Sequence, residues 1–173
     1  MDTLRITRDD LDAYGVYAKA ESIDFDGHVE IDADLGTVRV RGGVRATGRI
    51  RCLSGSGIKA GGSVVAGESV EAGWSVRAGG SVEAGESVKA GWSVVAGGSI
   101  EAGGSVEAGE SVEAGGSIVA GGSIVARFLA VRLRIFAGLV AWRLPTPEEC
   151  EVRAEIRSGT LAHGTHVAPT VKS

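Results

Sequence analysis

From Gly61 to Ala126 the chain repeats one pattern of apolar and polar positions eleven times: GGSVVA, GESVEA, GWSVRA, GGSVEA and onward to GGSIVA. One slot holds Val64, Val70, Val76, Val82, Val88, Val94, Ile100, Val106, Val112, Ile118 and Ile124, and two residues later comes Ala. Side chains two apart share one face of a strand, so both slots point inward. A period of six matches neither helical period, and a Gly at almost every sixth place would cost a helix about 1 kcal/mol each. A six-residue unit cannot bury its own apolar side chains, so it stacks on copies of itself. A longer beat sets the coil: Trp74 and Trp92 are 18 residues apart, as are Glu68 and Glu86. The pattern predicts an all-β fold, a three-sided parallel β-solenoid with 18 residues per coil. The Gly after each Ala is expected to supply the backbone freedom of a corner, with Ser either pointing outward or capping it.

The frame extends backward through SIDFDG, HVEIDA, TVRVRG, GVRATG, RIRCLS and GSGIKA, with Asp34, Leu35 and Gly36 read as an inserted loop. Forward, RFLAVR, LRIFAG and LVAWRL are bulkier, as expected where a tapering core is closed. Roughly twenty hexads give six to seven coils, or about 30 Å of rod at ~4.8 Å per coil. Residues 1–21 read as an N-terminal cap, 22–144 as the solenoid, and 145–173 as a C-terminal strand or cap with a flexible tail. Thr7-Arg8-Asp9-Asp10 and Thr146-Pro147-Glu148-Glu149 are helix-start signals. Against a helix at the second, Cys150, Val152, Ala154 and Ile156 alternate with charges as a strand does. Val119, Val125 and Val131 read as an outward apolar ladder, either covered by residues 148–158 or forming a self-association face in a homodimer.

Composition narrows the function classes. Two distant cysteines make no disulfide framework, and Cys52 falls in an inward slot. The first residues are charged, unlike a signal peptide, and Arg132, Arg134 and Arg143 interrupt the apolar stretch 128–144. A soluble, cytoplasmic protein with no membrane partner is expected. Residues 61–126 carry eight Glu against Arg77 and Lys89. Five bases, Arg39, Arg41, Arg45, Arg49 and Arg51, girdle the early coils, where direct nucleic-acid binding is set against the acidic body beside them. Folding the register at 18 places Glu83 over Glu101 on one face and Glu71, Lys89 and Glu107 in a column on the next. Arg77, Val95 and Glu113 line the third, and Trp74, Trp92 and Glu110 stack at a corner.

Catalysis finds little support. His163 and His166 lack companions for a metal site, His28 sits at a corner, and the repeated Ser have no His base. No cofactor, metal or small-molecule substrate is expected. Left-handed hexapeptide acyltransferases also use 18-residue coils, but the residue four places after Val64 is Glu68 where that family has a small one. That mismatch points to the right hand. The stretches SIDFDGHVEIDA and TVRVRGGVRATGRIRC resemble the bactofilin family of polymer-forming β-helical scaffolds, over roughly residues 22–126. The resemblance implies a right-handed, three-sided solenoid that polymerises end to end. Capped ends and the lack of long disordered tails depart from that family.

Two expectations follow. The first is a non-enzymatic solenoid that binds a protein partner, itself part of a nucleic-acid-binding complex. It would act as a stoichiometric inhibitor, similar in class to phage-encoded anti-CRISPR proteins. Glu71, Glu83, Glu101, Glu107 and Glu113 would occupy a basic groove as phosphates do, with Trp74 and Trp92 as anchors. The second is a bactofilin-like self-assembling scaffold that uses Val119, Val125 and Val131.

Overall fold

A computed structural model describes residues 1–140 and 143–169. The chain winds into about eight coils of parallel strands. Coil 1 carries β1 (Thr3–Ile6) and β2 (Ile23–Phe25), and coil 2 carries β3 (His28–Ile31), β4 (Gly36–Val40) and β5 (Val44–Ala46). Coil 3 has β6 (Ile50–Cys52), β7 (Ser56–Ala60) and β8 (Val64–Ala66), and coil 4 has β9 (Val70–Ala72), β10 (Val76–Ala78) and β11 (Val82–Ala84). Coil 5 contains β12 (Val88–Ala90), β13 (Ser93–Ala96) and β14 (Ile100–Ala102). Coil 6 contains β15 (Val106–Ala108), β16 (Ser111–Ala114) and β17 (Ile118–Ala120). Coils 7 and 8 are single bent strands, β18 (Ile124–Phe136) and β19 (Glu151–His163), and β20 (Thr165–Val167) opens a ninth turn. Three faces result. Face A stacks β1, β3, β6, β9, β12 and β15; face B stacks β4, β7, β10, β13 and β16; face C stacks β2, β5, β8, β11, β14 and β17.

The inward slots form one apolar column. Val64, Val76, Val82, Val88, Val94, Ile100, Val106, Val112, Ile118 and Ile124 are fully buried, and every Ala of the regular hexads is buried beside them. Corners close by backbone hydrogen bonds between coils. Gly80 N–H donates to Gly62 O at 3.1 Å, and Gly98 N–H to Gly80 O at 3.0 Å. The serines add a second ladder: Ser63 Oγ accepts from Ser81 N–H at 3.1 Å, and Ser81 Oγ from Ser99 N–H at 3.3 Å. The corner glycines play a different part from the one expected. Those of the regular repeat do not adopt positive φ. A Cβ on Gly103 would instead lie 2.1 Å from the carbonyl oxygen of Gly85 in the coil below. Close approach of coils excludes a side chain there, and conformational freedom is not what the position uses.

Departures from 18 residues mark the irregular coils. Val29 pairs with Ile50, three residues beyond the regular repeat, which accommodates the loop at Asp34, Leu35 and Gly36. Two further residues enter before Ile58, so Ile58 and Ala60 are the inward pair of GSGIKA. Ser56, fully buried, holds the two loops together: its Oγ donates to Asp32 O at 2.5 Å and accepts from Leu35 N–H at 3.0 Å.

The last coils correct the outward valine ladder. Ile124 pairs with Val106, but Leu129 pairs with Val112, so one residue is missing at the corner between them. The loss shifts the frame by one. Val131 stands over Ala114 inside the core, 1% exposed, and cannot serve a self-association face. Residues 151–158 do not fold over the valines. They continue the solenoid, with Val152 on Ile124 and Ile156 on Leu129. Strand also runs through Gly159–His163 and Thr165–Val167, where a flexible tail was expected; residues 170–173 lie outside the described residues.

Both helix-start signals give one 3-10 turn each. At Arg8–Asp10, the Asp10 carboxylate accepts from Thr7 N–H at 2.7 Å. At Glu148–Cys150, the Glu149 carboxylate accepts from Thr146 N–H at 2.8 Å. Residues 1–21 also supply β1 and a bridge from Val16 to Arg39, and so form a first, irregular coil. Its Asp10 carboxyl lies below the usual carboxylate range, held there by the Lys19 ammonium and the Thr7 N–H.

Candidate interaction faces

Each face displays one outward residue per coil, in a straight column. On face A the column runs Arg5, Glu30, Arg51, Glu71, Lys89, Glu107, Val125 and Arg153, with charges alternating in sign up to the valine. Arg51 stands 3.8 Å from Glu71, and Lys89 3.5 Å from Glu107. Glu71 and Glu107 are therefore neutralised by neighbours on their own face. These side chains are about half exposed, so each pair contributes only about 0.2–1 kcal/mol.

Face C reads Asp24, Arg45, Val65, Glu83, Glu101, Val119 and Phe136. Glu83 and Glu101 are exposed on adjacent coils, about 4.8 Å apart along the axis. Neither forms an ion pair with Lys or Arg among the described residues. The corner beside this face stacks Glu68 and Glu86, with Glu86 N–H donating to Glu68 O at 3.2 Å. Glu86 also accepts from Ser69 Oγ at 2.9 Å, and Glu68 approaches His28 Nδ1 at 3.9 Å. Glu68, Glu83, Glu86 and Glu101 thus form one acidic patch over three coils. Glu68 and Glu86 were not among the expected binding residues, although their spacing of 18 placed them in one column. Their proximity to Glu83 and Glu101 depends on which side of the corner each strand leaves. A shallow groove of about 380 Å3 runs beside the patch, lined by Val65, Glu83, Glu101 and Val119.

Face B reads Arg39, Lys59, Arg77, Val95, Glu113 and Ala130. The corner between faces A and B carries the two tryptophans. Their rings stack with centroids 6.0 Å apart and planes 21° from parallel, and Trp74 and Trp92 are 46% and 65% exposed. Trp92 N–H donates to Trp74 O at 2.9 Å, and Glu110 N–H to Trp92 O at 2.8 Å. Above them Arg127 reaches Glu110 at 3.6 Å, and the Phe128 ring packs against the guanidinium groups of Arg157 and Arg127, 3.4 and 5.0 Å from its centroid.

The expected binding residues consequently fall on three sides of a prism. Glu83 and Glu101 are united on face C. Glu71 and Glu107 lie on face A, Glu113 lies on face B, and Trp74 and Trp92 occupy the edge opposite face C. No single flat partner reaches them all. The self-association residues are likewise separated: Val119 is on face C, Val125 is on face A, and Val131 is in the core.

Among the described residues no group of three His, Cys, Asp or Glu side chains gathers to hold a metal ion. His163 Nδ1 lies 2.6 Å from Ala137 O, and His166 Nε2 lies 2.8 Å from Ala154 O, so each ring is engaged with backbone of the last coils. Burial pushes the Cys52 thiol up to about 12, which leaves it protonated and unreactive at neutral pH. No helix among the described residues is long and apolar enough to cross a membrane. No family model, no curated protein and no solved structure matches the chain.

Proposed function

We propose that this solenoid is a non-enzymatic binding protein that acts stoichiometrically, laying the acidic patch of face C on the basic nucleic-acid-binding surface of a protein partner. The observation that carries this reading is the contrast between faces. Glu71 and Glu107 are matched by Arg51 and Lys89, while Glu68, Glu83, Glu86 and Glu101 have no Lys or Arg partner among the described residues. Unmatched carboxylates held by a stiff backbone repel one another, and a cationic partner relieves that repulsion. Two short adjacent columns of anions offer such a partner the charge of a phosphate backbone, with no base to read. In this reading the protein is an occluding inhibitor of the anti-CRISPR type, working in the cytoplasm.

The test uses tagged protein to capture partners from nuclease-treated lysate, followed by competition against DNA for the captured partner. Wild-type protein displaces DNA from it. A Glu83→Lys, Glu101→Lys double variant with an unchanged circular-dichroism spectrum loses that competition by at least tenfold. Equal competition by the double variant overturns the reading.

One observation favours a bactofilin-like scaffold as the second reading. The edge of β19 beyond Arg153, on faces B and C, carries no further strand among the described residues. An uncovered edge is a template for another chain. Light scattering coupled to size exclusion separates the readings, since a scaffold yields an open-ended size series and an inhibitor a discrete species.

A further inference from the structure

Face B assembles a run of cations that is dispersed along the chain. Arg39, Lys59 and Arg77 come from β4, β7 and β10 and stand directly above one another, about 4.8 Å apart along the axis. All three are exposed, and among the described residues none is in an ion pair. Of the other girdle arginines, Arg45 lies on face C and Arg51 on face A against Glu71, while Arg41 shares the neighbourhood of the Asp12 carboxylate with Arg39. Exposed aromatic residues border the column. Tyr14, 79% exposed, lies at its foot, where Arg39 Nη1 donates to Tyr14 O at 3.2 Å. The Trp74–Trp92 stack stands on the bordering edge, with Trp74 three residues before Arg77 on the same strand approach.

We propose that face B binds a short single-stranded stretch of nucleic acid, with its phosphates along Arg39, Lys59 and Arg77 and a base against the Trp92 indole. Cations in a row beside open aromatic rings are the two components that sequence-independent single-strand binding requires, charge for the backbone and a π surface for the bases. The column spans three coils, about 10 Å, and Tyr14 and Trp92 extend the surface by one coil at each end. That length suits three to four nucleotides. A duplex is excluded by its shape. Its bases are paired and cannot reach the indoles, and its breadth would carry phosphates round to the carboxylates of face C. An acidic peptide could use the cations but would leave the rings idle. The acidic patch of face C plays no part in this binding.

The measurement is fluorescence anisotropy of a labelled thymidine pentanucleotide titrated with the 173-residue chain. Three neutralised phosphates on a single strand give a slope of log K against log salt of about −2. Replacing Arg39, Lys59 and Arg77 together by Ala abolishes binding at 50 mM salt. Trp92→Ala weakens it about tenfold while leaving the salt slope unchanged. Inorganic polyphosphate, which has the charge without bases, competes at least tenfold less well than unlabelled pentanucleotide. Glu83→Lys, Glu101→Lys retains binding, which separates this site from the face C reading. No binding at 50 mM salt overturns the proposal. So does polyphosphate competing as well as the oligonucleotide, or an unaltered affinity in Trp92→Ala, since either reduces the face to a general anion surface. Circular dichroism of each variant establishes that the solenoid is intact.

Discussion

The Lys89 ammonium stands 3.5 Å from the Glu107 carboxylate one coil above it, and Glu71 occupies the same column one coil below. In the chain these three residues are 18 apart and bear no local relation. Stacking places one cation between two anions, so the column is close to neutral where a count of charges made it acidic.

Lys89 therefore governs the electrostatics of face A. Lys89→Ala lowers stability by no more than about 1 kcal/mol, as for an exposed pair. Lys89→Glu creates three stacked carboxylates and lowers the thermal midpoint further. Most of that extra loss is recovered in 1 M salt, where the screening length falls to about 3 Å. Thermal melts at low and high salt check this, and a salt-independent difference would contradict the column.

Adjacent glycines at one corner differ in what they tolerate. A Cβ at Gly103 would press on the backbone oxygen of Gly85, whereas one at Gly104 meets the Ser87 hydroxyl, which can rotate away only by giving up its hydrogen bond from Ser105 N–H. The position below Gly104 in the column is Glu86, a residue with a full side chain. Gly103→Ala is expected to cost about 1–3 kcal/mol, as for other overpacked sites. Gly104→Ala is expected to cost less, about 0.5–1 kcal/mol, the net worth of the one hydrogen bond given up. Denaturant melts of the two variants give the comparison, and equal losses would mean that the coils do not approach this closely.

The turn before β19 makes stability depend on acid. The Arg143 guanidinium and the Thr146 N–H hold the Glu149 carboxyl down at about 2, against 4.5 for an ordinary glutamate. A depressed folded value means that the contribution is complete above about 4.5 and is lost as pH falls toward 2. Glu149→Gln should therefore lower the melting temperature at pH 7, with the gap from wild type narrowing steadily between pH 4.5 and pH 2. A gap that stays constant with pH would show that the loss comes from something other than the charge.

The candidate surfaces were legible only in part. Glu83 over Glu101 and Trp74 under Trp92 followed from the period, because both pairs lie in the uninterrupted hexads. The basic column did not, because Arg39 and Lys59 are separated by irregular coils in which the repeat is 20 residues. Val131 was misplaced for the same reason: one missing residue at a corner exchanges inside for outside in every position that follows.

What the sequence determined alone was the unit and its stacking. A β-branched residue and an alanine two places apart, repeated every six residues, leave an extended strand with one buried face as the arrangement that hides them. Eighteen-residue recurrences then set the coil. The tertiary structure decided which charges meet. Ion pairing and patch formation depend on register between coils, and register depends on the sum of all insertions and deletions at the corners. That sum changes at Asp34, Ser56 and Arg127 and again before Glu151, and it becomes visible only when each strand is set against its neighbour in the next coil.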